Sequence, residues 1–392
     1  MRALCTVLLK EVVENARDRR TVVSALLLGP LGAPLLFTVL MNVTLERERQ
    51  GLEAPLELAI AGGSHAPNLV AFLRGEGVEV REFQGDADAA ARAVRARERR
   101  LVLVIPADHG ARLRSGLPAA VQLYADSSDT SAAGERVRAE SLLRSYASQI
   151  ATWRLAARGL SPALVRPLIV DEVDLSTPAG RAVTLLGMLS YFIVFATLIG
   201  GLYVAIDTTA GERERGSLEP LLTLPVARRE LVLGKILATS AWMIVSLVLT
   251  VAAFAVSLRF VRLDTLGMAA NFGPRVALAT IGVMLPFVLL GAALMTLVAS
   301  FTRSYREAQS WLTALLLIPT VPIMFAAVYQ VPTRLALMWI PSLSQHLLIS
   351  SLLKAEPLAP SSVLVSAAST LAFGALIAAL ATRCYRREQI LG

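Results

Sequence analysis

Six stretches of the chain carry no charged residue and are almost wholly apolar: 21–41, 182–206, 236–258, 276–300, 311–331 and 363–382. Each is 20 to 25 residues long. At about 1.5 Å of rise per residue, a helix of that length crosses the roughly 30 Å hydrocarbon core of a bilayer. The pattern therefore predicts an α-helical polytopic membrane protein with six transmembrane helices. Glycine and proline punctuate several of these runs. Gly29, Pro30, Gly32 and Pro34 predict a kink or break in the first, Pro286 a bend in the fourth, and Pro319 with Pro322 a break in the fifth. Ala196 and Gly200 form a small-xxx-small pair that allows close helix contact in the second.

Between the first two runs the pattern changes. Residues 42–181 are charged and mixed, and predict a separate α/β domain inserted between helices 1 and 2. Strands are expected at 56–60, 78–83, 101–105, 121–124 and 168–175, and helices at 67–74, 86–99, 108–115 and 131–158, with Asp86 and Asp108 as N-caps. Residues 1–20 predict an amphipathic surface helix, with Leu4, Val7, Leu8 and Val12 on one face and Lys10, Glu14 and Arg17 elsewhere. The segment 332–362 reads as an external loop or re-entrant helices, and 383–392 as a tail.

Composition agrees with a membrane class: 55% of the residues are hydrophobic and 17% charged. The net charge of +8 changes the picture only through where it sits. Basic residues crowd 10–20, 213–235, 303–306 and 383–387, whereas the short loops on the other side hold Arg259, Arg262, Arg275, Arg334 and Lys354. The positive-inside rule then puts both termini in the cytoplasm of a bacterial inner membrane and 42–181 outside it. No nucleic-acid motif competes for the charge, so no nucleic-acid partner is expected. Cys5 and Cys384 fall on the reducing side, which argues against a disulfide. The first run lacks a cleavage site and reads as a retained anchor.

Candidate chemistry is sparse. His65 and His109 have no cysteine or second histidine at metal-ligand spacing, so no metal site is expected. Ser342 or Ser344 beside His346 is a weak hydrolase candidate, since a nucleophile and base so near in sequence are rarely aligned. The six runs hold no ionisable residue, which argues against an ion-coupled secondary transporter. The most structured signal is the connector 207–235. Thr209 and Glu212 fit a capping box, Gly216 can end the helix, and Ser217 can cap a second turn with Leu218, Leu221 and Leu222 on one face. The result is a cytoplasmic elbow with a leucine underside and Glu212, Arg213, Glu214 and Arg215 turned to the cytosol. Gly211 and Gly216 have P-loop spacing, but Ser217 and Leu218 stand where Lys and Ser or Thr are required, so this element does not bind ATP phosphates.

The run GERERGSLEPLLTLPVARRELVLGK resembles the cytoplasmic loop of ABC-2 type transporter permeases, and KEVVENARDRRTVVSALLLGPLGAPLLF resembles the start of their NatB, sodium-exporter permease, branch. The resemblance implies the ABC-2 exporter permease fold and a permease subunit that is not itself an enzyme. It further implies an ABC ATPase subunit as partner, carrying ATP and Mg²⁺, and a second permease copy, expected as a homodimer in membrane lipid. By motif position the residues that couple to the ATPase are Glu212, Arg213, Glu214, Arg215, Gly216, Ser217, Leu218 and Glu219. Ala227 and Ser217 stand where the family often has Ser and Thr. The implied cargo is Na⁺; an amphiphilic drug, peptide or lipid is the alternative, and a membrane-anchored sensor or assembly factor with an external binding domain is the non-transport one.

Overall fold

A computed structural model describes residues 2–53, 55–129, 132–161, 163, 187–217, 220, 225–263, 270–329 and 331–384. The chain divides into two units, one of Met1–Leu45 with Leu175–Gly392 and one of Glu46–Asp174.

The chain enters through α1 (Arg2–Arg17), α2 (Arg19–Val22), a π-helical stretch Val23–Leu28 and α3 (Gly29–Glu53). The expected break is instead a wide turn. The π stretch lies directly before Gly29 and Pro30, with the Gly29 amide donating to the Ser24 carbonyl, and the helix continues past both prolines.

The inserted unit follows as β1 (Glu57–Ala61), α4 (Pro67–Gly75), β2 (Glu79–Glu82), α5 (Ala87–Arg95), β3 (Leu101–Val104), α6 (His109–Arg114), β4 (Gln122–Ala125) and α7 (Ala133–Ala156). Its sheet has the order β2-β1-β3-β4, with β1 parallel to both β2 and β3, and β4 antiparallel to β3. Alternation along the strands explains the layers. Leu58, Ile60 and Leu103 pack with Leu69 and Leu73 of α4 and Ala139 of α7, while Ala59 and Val102 pack with Ala90 and Val94 of α5. Asp86 caps α5 as expected, accepting from the Ala89 amide at 2.9 Å. Asp108 does not cap α6, because its own backbone is already helical and its side chain cannot reach forward. The strand expected at 168–175 lies outside the described residues.

The chain then forms α8 (Leu189–Ile206), a π turn Asp207–Gly211, α9 (Glu212–Glu214), α10 (Arg228–Ser257), α11 (Pro274–Phe301), α12 (Tyr305–Leu315), α13 (Leu317–Tyr329), α14 (Leu343–Leu353) and α15 (Pro360–Cys384). Among the described residues, six helical runs are long and apolar enough to cross a membrane: Val23–Glu46, Leu189–Glu214, Arg228–Phe260, Pro274–Phe301, Tyr305–Ala326 and Pro360–Cys384. The second runs on into the expected elbow as far as Glu214, and the third begins eight residues before Ile236. The fifth is divided at Leu316, three residues before Pro319.

Within this unit α11 packs on α15 and α10, and α10 also packs on α8 and α1. Small residues make the closest contact possible. A Cβ on Gly200 would stand 2.3 Å from the Ser246 Cβ, and the Ser246 hydroxyl donates to the Ala196 carbonyl at 3.1 Å. Ala196 and Gly200 thus form the expected interface, on α10. Gly234 does the same for α1: a Cβ there would meet Val7 at 2.7 Å.

Candidate functional site

The predicted elbow is built differently from its sequence pattern. Thr209 does not start a helix; its hydroxyl donates back to the Ala205 carbonyl, and α8 continues through the π turn into α9. Gly216, at φ +67°, ends the run, with the Gly216 amide on the Arg213 carbonyl and the Ser217 amide on the Glu212 carbonyl. The Ser217 hydroxyl also donates to the Glu212 carbonyl, at 3.1 Å. Leu218, Glu219, Leu221 and Leu222 lie outside the described residues, so the second, leucine-faced turn does too.

Extending α8 carries Glu212 inward. It is 5% exposed and does not face the cytosol as expected. Its Oε2 pairs with the ammonium of Lys235, which is 1% exposed on α10 and also donates to the Thr208 carbonyl. Its Oε1 lies 3.3 Å from the Lys10 Nζ on α1. Lys10 in turn reaches Glu11 at 3.1 Å and Glu14 at 3.3 Å. One carboxylate therefore joins three elements, α1, α9 and α10.

The charges in this cluster shift one another. Burial pushes Lys10 down, but Glu11, Glu212 and Glu14 outweigh it and hold its ammonium above the ordinary value. Burial raises the Glu11 carboxyl and Glu212 adds to the rise; Lys235 and Lys10 oppose it without cancelling it. The buried Asn15 donates to the Glu11 carbonyl at 2.9 Å, while its own Oδ1 has no partner among the described residues.

The other elbow charges face a second loop. Arg213 donates to the Thr302 carbonyl at 2.8 Å, and Glu214 accepts from the Tyr305 amide at 2.6 Å. The α11–α12 turn is thus joined to the elbow. Ser304 caps α12 by accepting from the Glu307 amide, and Glu307 accepts from the Arg303 amide at 2.8 Å. Arg215 turns back to Asp207 at 2.8 Å, and that hydrogen bond raises its pKa further.

Sequence reasoning reached Glu212 to Ser217 but missed Lys10, Glu11, Asn15, Asp207 and Lys235 as members of the site. A signal was present: in an arginine-rich chain the only lysines are Lys10, Lys235 and Lys354. A compact ammonium on a flexible stem suits a buried pocket where a planar guanidinium does not fit.

A second buried polar cluster joins α8, α14 and α15. The His346 Nδ1 lies 2.6 Å from the Ser190 hydroxyl, so its partner is Ser190 and not Ser342 or Ser344. Ser342 begins α14 in a capping box with Gln345. Gln345 donates to Thr370 at 3.0 Å and Ser366 at 3.3 Å, and Ser366 donates to Ser344 at 2.9 Å. Ser190 is fully buried, which closes it to a hydrolase substrate.

Residues 19–383 match the ABC-2 family transporter protein family. The chain belongs to this family. It is also 24% identical over 396 residues to the ABC transporter permease protein NatB of Bacillus subtilis (strain 168), covering 97% of each chain. This ABC-2 chain is accordingly a multi-pass membrane permease subunit of an ABC transporter. ATP hydrolysis in such a transporter belongs to a separate ATPase subunit, which the family implies as its partner.

Proposed function

We propose that this permease is one half of an exporter and that α9, with the turn ending at Ser217, receives the stroke of a cytoplasmic ATPase subunit. Both termini lie in the cytoplasm in this reading, the inserted α/β unit is extracytoplasmic, and two copies work with two ATPase subunits that carry the ATP and Mg²⁺. The observation that carries it is Glu212, whose carboxylate ties the elbow to α1 and α10 at once. A push on the elbow then moves the bases of α1, α8 and α10 as one body, because separating any of them strands a buried charge. Arg213 and Glu214 carry the same motion to the α11–α12 turn.

The cargo we propose is Na⁺, on the resemblance to the NatB branch. One observation favours the amphiphilic alternative. The six charge-free runs offer a bare cation no carboxylate. The test is reconstitution with the cognate ATPase in vesicles, comparing radiolabelled Na⁺ with an amphiphilic dye. Glu214→Ala should keep the chain inserted and lower substrate-stimulated ATP hydrolysis; unchanged stimulation would sink the coupling role.

A further inference from the structure

The inserted unit holds a cleft of about 490 Å³ at the amino-terminal edge of β1 and β3, roofed by the turn between α5 and β3. That volume is within the range of small-ligand sites. Two of its arginines are fixed by carboxylates in its walls: Arg81 lies 2.8 Å from Glu57, and Arg100 lies 2.5 Å from Glu135. Arg97 and Arg99 line the same cleft and have no carboxylate within ion-pair distance among the described residues. The acids that face them are Glu98 in the cleft and, near Arg97 but without an ion pair, Asp126.

The backbone adds an independent observation. Arg97 ends α5 at φ +58°, with its amide on the Val94 carbonyl and the Glu98 amide on the Ala93 carbonyl. Glycine takes this left-handed position freely, whereas an arginine is strained there. Helix α5 does not need the charge, since Arg92 and Arg95 already complement its carboxyl end. A strained cation at the rim of a cleft, beside a second unpaired one, has the marks of a binding position.

We propose that this cleft binds a phosphate ester about the size of glycerol phosphate, held by the guanidinium groups of Arg97 and Arg99. Two planar forks present more donors than the two oxygens of one carboxylate can accept, while a phosphate offers three oxygens to both. A lipid headgroup and a free solute both present this chemistry. The site is independent of the coupling cluster, so either stands if the other fails.

Hydrogen exchange of the purified full-length chain over residues 96–101 tests it. One sample uses phosphatidylcholine nanodiscs with added glycerol 3-phosphate. The other uses nanodiscs of equal parts phosphatidylglycerol and phosphatidylcholine. Slowed exchange with the soluble ester assigns a free solute, and slowed exchange in the anionic discs alone assigns a headgroup. No slowing in either overturns the proposal. In Arg97→Gly/Arg99→Gln the glycine relieves the backbone, so the unit stays folded while binding weakens about tenfold or more, the loss of charge-assisted hydrogen bonds. Protection that survives in this variant at the same ligand concentrations also overturns it.

Discussion

The two buried polar clusters of the helical unit do the same structural work with opposite chemistry. At the end that carries α1, Lys10, Lys235, Glu11 and Glu212 join α1, α9 and α10 through full charges. The other cluster joins α8, α14 and α15 through Ser190, His346, Gln345, Ser344, Ser366 and Thr370, using hydroxyl, amide and imidazole groups. In the neutral network Gln345 and Ser366 each have several weak partners, so the loss of one is shared. In the charged cluster one carboxylate serves two lysines, and once it is gone Lys235 keeps only Glu11 as a nearby acid, without an ion pair. The charged arrangement is all-or-none, which suits an element that moves as a rigid body; the neutral one fixes helices in place by increments.

The largest break in this comparison is Lys235→Met. It leaves Glu212 buried with only the half-exposed Lys10, 46% accessible, as counter-charge, and the loss should be about 3–5 kcal/mol. Thermal unfolding in detergent measures it. The double variant Lys235→Met/Glu212→Leu removes both charges and should recover most of that loss, since the cost lies in the stranded charge more than in the missing attraction. If the double variant is as unstable as the single one, the cluster is held by packing and the contrast with the neutral network disappears.

Gln345→Leu comes next. The amide accepts from the Ser342 backbone and donates to Ser366 and Thr370, and its loss strands neutral groups that retain other partners, such as Ser344 for Ser366. The expected cost is about 1–3 kcal/mol by the same measurement. A cost equal to that of Lys235→Met would show that charge makes no difference here.

Much of this architecture was readable in advance, and the misses share a cause. Charge-free runs located all six spans, because hydrocarbon excludes charge along a whole helix. In the inserted unit, β3 begins at the expected Leu101 and the other described strands begin one residue late, because alternation and turn residues are local. The pairing of Glu212 with Lys235 and Lys10 was not readable, since it depends on contacts across 23 and 202 residues of chain. Reading 207–235 as a solvated connector put the charges outside; the helix instead runs through Thr209, because a hydroxyl can bond backward to a carbonyl as readily as it caps forward. The link between Ser190 and His346 was hidden for the same reason, as a neighbouring serine in sequence drew attention from the one in space.

The smallest effect sharpens the comparison most, because it has the opposite sign. Glu11 is almost wholly buried, and burial holds its carboxyl above the ordinary value of 4.5 despite Lys235 and Lys10. A group whose pKa is higher folded than unfolded contributes stability that is complete below the unfolded value and lost as pH rises through the folded one. Above the unfolded value the raised pKa therefore costs stability, and Glu11→Gln should relieve it. Removing its pair with the half-exposed Lys10 gives up little, so a net gain of under about 1 kcal/mol is expected. The gap between variant and parent should widen as pH rises above 4.5 and level off once Glu11 is ionised in the folded protein as well. Lys10 does not interfere, since its raised pKa defers its own loss to the alkaline range. Unfolding temperatures across that pH range give the answer. A variant less stable than its parent at neutral pH would mean that Glu11 is a net contributor, and that the charged cluster tolerates a second buried acid as comfortably as the neutral one tolerates another hydroxyl.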